Sequence, residues 1–284
     1  MKQLTTLFFL LTAAVGFGQA DATPKYSNEF LQIGVGARSL GMSNSVIATT
    51  TDVTSGYWNP AGLLNLNDEI HVGLMHAEYF AGLAKYDYGS FGKRIDSSSA
   101  LGFSLIRFGV DDIPNTTELI DNEGNIDYDR ITTFSAADYA FIVSYARRIK
   151  GIDFGGNAKI VHRKVGTFGR SWGFGIDVSA RYQHKDWLFG AMFRDVTTTF
   201  NAWSYSLTDQ IIETFTLTGN EIPESAVEIT LPRLLLGVAR QFTIKDKFTI
   251  LPEFDLDLTF DGKRNTLIKS NLPQNAAQCR TVSP

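Results

Sequence analysis

The sequence predicts an all-β protein, a transmembrane β-barrel laid out as an antiparallel meander with an N-terminal plug segment, and three observations predict it. From Glu69 onward apolar and polar residues alternate with a period of two, in segments of about ten to fourteen residues, the length at which a tilted strand crosses a bilayer. Brief polar turns exchange regularly with long polar insertions, as at the two ends of a membrane barrel. Aromatic residues gather at segment ends, among them Tyr79, Phe80, Phe91, Trp172, Tyr182, Trp187 and Phe260, where interfacial rings belong. A soluble sandwich alternates too, so the combination decides. Hydrocarbon offers no hydrogen-bond partner, every strand edge within it must be paired, and closure follows.

Residues 1–20 carry Lys2, an apolar run from Leu7 to Val15, and small residues at Gly16, Gly18 and Ala20, the layout of a secretory signal peptide that is expected to be absent from the mature protein. That run is short and broken by Thr12, and no later segment has the roughly eighteen apolar residues of a transmembrane helix. Residues 21–66 are read as a linker and plug. Within them Gly34, Gly36, Ala37, Gly41, Ser43 and Ser45 are small enough for close backbone approach. Asp52 is placed to cap a short helical run, and Asn59-Pro60 to break it.

Residues 67–262 are read as barrel strands. Ile70, Val72 and Leu74 alternate with His71, Gly73 and Met75; Tyr86 and Tyr88 lie in a second segment, and Leu101, Phe103 and Leu105 in a third after a turn at Lys93 to Ser98. Phe108 to Phe134 is a long polar insertion. Alternation resumes at Tyr139, Phe141, Val143 and Tyr145, and runs on through Phe154 to His162. It is clearest from Ser171 to Tyr182, with Trp172, Phe174, Ile176, Val178, Ala180 and Tyr182 on one face. Trp187, Phe189, Ala191 and Phe193 continue it, and Thr197 to Glu228 is a second polar insertion. Leu234, Leu236 and Val238 lead through a Lys245 to Lys247 turn into one segment from Phe248 to Phe260. The polar face points to a lumen and carries Asp177, Arg181, Arg194, Glu253, Asp255 and Asp257. On this assignment Phe254→Arg impairs membrane assembly and Asp255→Arg is tolerated. About nine strand-like segments are legible; residues 263–284 read as irregular, and further C-terminal strands are expected to be missing.

A net charge of −4 argues against nucleic acid as a partner. Cys279 is the only cysteine, which leaves no intrachain disulfide and no thiol zinc site. His71 and His76 fall on opposite faces of a strand, while His162 and His184 lie far off, so no metal or other cofactor is expected. Asp255, Asp257 and Asp261 lack the glycine and closing glutamate of a calcium loop. No nucleophile elbow or phosphate loop is present, and the chain is not read as an enzyme.

Two spaced blocks carry a family resemblance. Gly36-Ala37-Arg38-Ser39-Leu40-Gly41-Met42, followed by Tyr57-Trp58-Asn59-Pro60-Ala61-Gly62-Leu63, resembles the N-terminal signature of the PorV/PorQ family of bacterial outer-membrane β-barrels. These are distantly similar to the FadL fatty-acid transporters, which carry a comparable Asn-Pro-Ala element in a segment folded into the barrel mouth. The resemblance runs from about Tyr26 to about Leu267 and implies a FadL-like barrel of about fourteen strands in the outer membrane, surrounded by its lipid. It also implies work in type IX secretion, as a cargo shuttle from the translocon or an anchor of the attachment complex. The implied partners are translocon or attachment subunits and cargo C-terminal domains. On this reading the two polar insertions are outer loops open to partners, and Trp58 to Gly62 steadies the mouth. The alternatives are a FadL-like transporter of hydrophobic small molecules, with an apolar pocket beside the plug, or a general structural porin.

Overall fold

Backbone pairing follows the alternation. The computed structural model describes residues 27–119, 125–244 and 248–260, with the backbone alone of 266–270 and 281–282. The predicted signal peptide, the Lys245 to Lys247 turn and most of 263–284 lie outside the described residues. Seven strands are neighbours in chain order, each antiparallel to the last: β1 (Ile70–Tyr79), β2 (Ala84–Arg94), β3 (Ser99–Asn115), β4 (Thr132–Ile149), β5 (Ile152–Val165), β6 (Gly169–His184) and β7 (Trp187–Arg194). The wall then forks. β7 pairs β6 from Val178 to His184, while β8 (Thr199–Tyr205) pairs the other part of β6, from Gly169 to Phe174. β9 (Val227–Thr230) pairs β8, and β10 (Arg233–Arg240) returns beside β7. A small hairpin, β11 (Phe242–Ile244) with β12 (Phe248–Ile250), hangs at the end of β10. β13 (Glu253–Thr259) pairs β10, and β14 (Thr266–Ser270) and β15 (Thr281–Val282) follow. Thirteen strands form one sheet, curled around the N-terminal segment; β1 does not pair with the last strands among the described residues.

The strands differ from the sequence reading in four places. β3 and β4 run through the polar flanks of the first insertion to Asn115 and Thr132, with the register shifting between Val110 and Ile113, so only residues 116–131 connect them. Backbone pairing continues there because a strand beyond hydrocarbon needs no apolar face. The second insertion holds β8, β9 and the helix Asp209–Leu217. The segment Phe248 to Phe260 is broken at Leu251-Pro252, where proline has no N–H for the ladder. Pairing also runs on past residue 262 through β14 and β15, where an irregular tail is expected from the sequence.

Side-chain burial is the reverse of a water-soluble sheet. On β6, Trp172, Phe174, Val178 and Tyr182 are 41 to 54 % exposed, while Ser171, Asp177, Ser179 and Arg181 are 1 to 7 % exposed. The same inversion extends across outward-facing register rows, as in Val72, Phe91, Phe103 and Val143. An apolar exterior of this extent suits hydrocarbon and not water. At one edge of the band lies a polar and aromatic row of register partners, His76, Asp87, Arg107, Tyr139, His162 and Trp172. His76 Nδ1 meets Asp87 Oδ1 at 2.6 Å, Arg107 donates to Asp87 Oδ2 at 3.2 Å, and the His162 and Trp172 rings stack at 4.1 Å. No helix among the described residues is long and apolar enough to cross a membrane.

Val143, 53 % exposed, lies in the middle of the apolar band. Val143→Arg is expected to cost about 2–4 kcal/mol of stability in lipid, read as lost heat-modifiable mobility after refolding into vesicles; a wall facing water would take the change without effect. Phe254 is a weaker test. It is the second residue of β13, close to the short-turn end, where a lipid-facing charge costs only about 0–1 kcal/mol.

Candidate functional site: the N-terminal segment and the wall that holds it

A chain running through the inside of a sheet has backbone N–H and C=O groups with no ladder to join, and each must find a partner. Here the wall supplies them. At Ser27 and Asn28 the partners come from β8 and β9: Asn201 Nδ2 donates to Ser27 Oγ at 2.6 Å and to Asn28 Oδ1 at 3.0 Å, and Asn28 Nδ2 donates to Thr230 Oγ1 at 2.9 Å. Further on, Val46 and Ile47 donate their N–H groups to Asp255 Oδ2 at 2.9 and 3.2 Å, and Ala48 N donates to Glu253 Oε1 at 2.7 Å. Thr49 Oγ1 donates to Glu253 Oε2. The carbonyls of the same stretch are met from the other side, with Arg181 Nε reaching Ala48 O at 2.9 Å and Asn59 Nδ2 reaching Ile47 O at 2.8 Å.

The second motif block forms the short helix Ser55–Trp58 and the 3-10 turn Pro60–Asn65. Asn59 caps that turn through Oδ1, which accepts from Ala61 N at 3.2 Å, and Pro60 sits at its start, where a missing N–H does no harm. Ser179 Oγ accepts from the same Ala61 N at 3.2 Å. Tyr57 OH donates to Leu31 O at 2.5 Å, and Trp58 Nε1 donates to Val35 O at 2.9 Å, which ties the two halves of the segment together. Gly62 must be glycine, since a Cβ there would lie 2.5 Å from Thr50 O. Wall Gly155 is under the same constraint, with a Cβ position 2.3 Å from Ala61 N.

Arg194 caps this cluster from the wall. Its Cζ lies 4.5 Å from the Tyr57 ring centroid and 5.6 Å from that of Trp58, and Nη2 donates to Tyr57 O at 3.0 Å. Beneath it, Lys159 Nζ sits 2.7 Å from Asp177 Oδ1 and 2.5 Å from Asp195 Oδ1, with the lysine 5 % exposed. Asn157 Nδ2 links this ion cluster to the plug, donating to Asp177 Oδ2 at 3.2 Å and to Gly56 O at 3.0 Å. Asp257 pairs with Arg233. The cavity between Tyr57, Lys159, Asp177 and Arg194 is about 30 Å³, room for water and no more.

The six predicted lumen residues, Asp177, Arg181, Arg194, Glu253, Asp255 and Asp257, are thus all buried on the inner face, and Arg181, Arg194, Glu253 and Asp255 bond plug backbone directly. That overturns the expectation that Asp255→Arg is tolerated, because the carboxylate is buried and holds two backbone amides. The first motif block behaves differently. Gly36 has φ 88° and starts the helix Ala37–Gly41 with its N–H on Met75 Sδ at 3.2 Å. Ala37, Arg38 and Gly41 are exposed; Arg38 reaches Thr49 Oγ1 at 3.4 Å, and Gly41 has open space around it. Met42 packs against the inner apolar cluster. Lys159, Asn157, Asp195 and Asn201 are holding residues that the sequence reading does not single out. Lys159 could have been found, since it lies between outward Ala158 and Ile160 in an alternating strand. Asp195 could not, because it follows β7 in a turn where no strand pattern applies. Among the described residues no cluster of His, Cys, Asp and Glu is arranged to hold a metal ion.

At the opposite end from the short turns the two polar insertions meet. Thr214 Oγ1 on the helix Asp209–Leu217 donates to Thr117 O at 3.2 Å. Their joint surface exposes Ile126, Tyr128, Leu217 and Ile222, with Tyr128 at 71 % and Leu217 at 79 %. A family model described as "Type IX secretion system protein PorV" matches residues 19–202, a stretch that includes both motif blocks. No curated protein matches the chain.

Proposed function

Since the chain belongs to the PorV family of type IX secretion system proteins, we propose that it is an outer-membrane barrel that serves secretion through its outer cap and not through its bore. The observation that carries this reading is the filled interior: residues 46–62 are hydrogen-bonded to β5, β6, β7 and β13 from inside, and the cavity beside them is too small for an acyl chain. The transporter alternative needs an apolar pocket beside the plug, and the wall there presents charged groups engaged with plug backbone.

The contact surface is the cap built from residues 116–119 and 125–131 and the helix Asp209–Leu217. It offers exposed Tyr128 and Leu217 to partners of the secretion machinery or to cargo C-terminal domains, which fits a shuttle or an anchor for exported proteins. Aromatic and aliphatic anchors of this kind dominate binding energy at interfaces. Tyr128→Asp combined with Leu217→Asp is expected to lower recovery of secretion-system subunits or cargo in a pull-down by about tenfold or more, with heat-modifiable mobility unchanged. Full recovery by the double variant overturns the cap assignment. Co-purification of a small apolar ligand from the interior would favour transport.

A further inference from the structure

The outer surface of the wall has a dent, and its cause lies inside. Gly190 on β7 and Gly237 on β10 face the plug at Ile47–Ala48 so closely that a Cβ on Gly190 would sit 2.3 Å from Ile47 O, and one on Gly237 would sit 3.0 Å from Ala48 N. The wall is seated directly on plug backbone there. Outside, the register partners Ala180 and Ala191 put only methyl groups over the same place. Larger neighbours, Tyr182, Phe189, Leu236 and Phe254, stand around them and enclose an outward-facing hollow of about 530 Å³ with an almost wholly apolar lining.

Arg240 lies on the same outward face of β10, two residues past Val238 of the lining, toward the Lys185–Asp186 turn. It is the register partner of Trp187, and its guanidinium carbon lies 5.1 Å from the Trp187 ring centroid and 4.8 Å from that of Phe242. Its Nε is buried without a hydrogen-bond partner, and among the described residues no carboxylate pairs with it. A half-buried guanidinium lying over two aromatic rings beside an apolar hollow, with no described carboxylate paired to it, calls for an anion with a greasy body. The tight two-residue turn marks this as the periplasmic end of a membrane barrel, where the phosphate of an inner-leaflet lipid lies.

We propose that this hollow is a specific binding site for one glycerophospholipid of the periplasmic leaflet, with an acyl chain over Ala180 and Ala191 and the phosphodiester on Arg240. The assignment rests on the membrane-barrel reading and adds to it a defined site on the wall. Because the floor of the site is the outer side of the strands that grip Ile47 and Ala48, an occupied hollow braces the wall against the plug.

The test uses the full mature protein, stripped of lipid in detergent and titrated with palmitoyl-oleoyl-phosphatidylglycerol, with adducts counted by native mass spectrometry. The unaltered protein is expected to retain a first adduct at collision energies that remove all others. Arg240→Gln is expected to weaken that adduct about tenfold, the size of one lost charge-assisted hydrogen bond. Ala191→Trp, which fills the floor without touching the phosphate position, is expected to abolish it, and Val143→Trp, on a distant part of the wall, is expected to keep it. Dioleoylglycerol, with no phosphate, is expected to bind no better to the unaltered protein than to Arg240→Gln. Equal first adducts in all four proteins overturn the site while heat-modifiable mobility leaves the barrel standing. A protein that stays monodisperse without detergent and takes up no lipid overturns both.

Discussion

Lys159→Met is expected to destabilise the folded assembly by about 3–5 kcal/mol, the cost of leaving a buried carboxylate without its cation. Lys159 is the cation between Asp177 and Asp195, and side-chain exposures of 5, 3 and 11 % leave water little room to take its place. The damage reaches the plug, since Asp177 also positions Asn157, whose amide holds Gly56 O. Unfolding by urea in lipid vesicles, followed by heat-modifiable mobility, measures the loss as a lower midpoint. Neutralising the acids along with the lysine, as Lys159→Met with Asp177→Asn and Asp195→Asn, is expected to recover most of it. A single variant as stable as the parent would show that the cluster carries no such energy.

Asp255→Arg is expected to release the plug. The substitution removes the acceptor of two buried backbone amides, at about 1–3 kcal/mol for each group left unmet. It also brings a cation to the inner face that already carries Arg181. Limited proteolysis reads the result directly: cleavage between residues 36 and 50 is expected in Asp255→Arg and absent in Phe254→Arg, although the two positions are adjacent. Asp255→Asn keeps an acceptor oxygen and is expected to protect the segment better than Asp255→Arg. Equal protection in both charge variants would mean that the carboxylate does not fasten the segment.

The legibility of this chain varied with the physics of each part. Ser171 to Tyr182 was readable residue by residue because a strand between oil and a polar interior must alternate without interruption, and β6 does so over its length. The flanks of β3 and β4 were not readable as strand. Beyond hydrocarbon the hydrogen bonds persist while the demand on side chains lapses, so Asp111 and Asn115 look like loop. The small strands β8 and β9 hide because their outward Phe200, Ala202, Val227 and Ile229 make too short a run to show a period in a stretch rich in Thr and Asn. The inner acids were legible as a row, but their task was not. A carboxylate facing water and one receiving a backbone amide give the same letter in a sequence, and only the path of residues 45–49 tells them apart. Glycine is similarly ambiguous. Gly190 and Gly155 are there because plug backbone lies against them, whereas Gly41 has open space around it.

The plug's fastenings join residues that are far apart along the chain. Ser45 to Thr49 bond to Glu253 and Asp255, and Ser27 bonds to Asn201 and Glu228. Asn157, Ser179, Arg181 and Arg194 can hold residues 48–61 earlier, but the amides of Val46 and Ile47 and the side chains of Ser27 and Asn28 stay unfastened until the strands past residue 200 have been delivered. Completing the plug therefore requires distant encounters, which are slow and leave sticky intermediates exposed. The protein has to be wound around its own beginning.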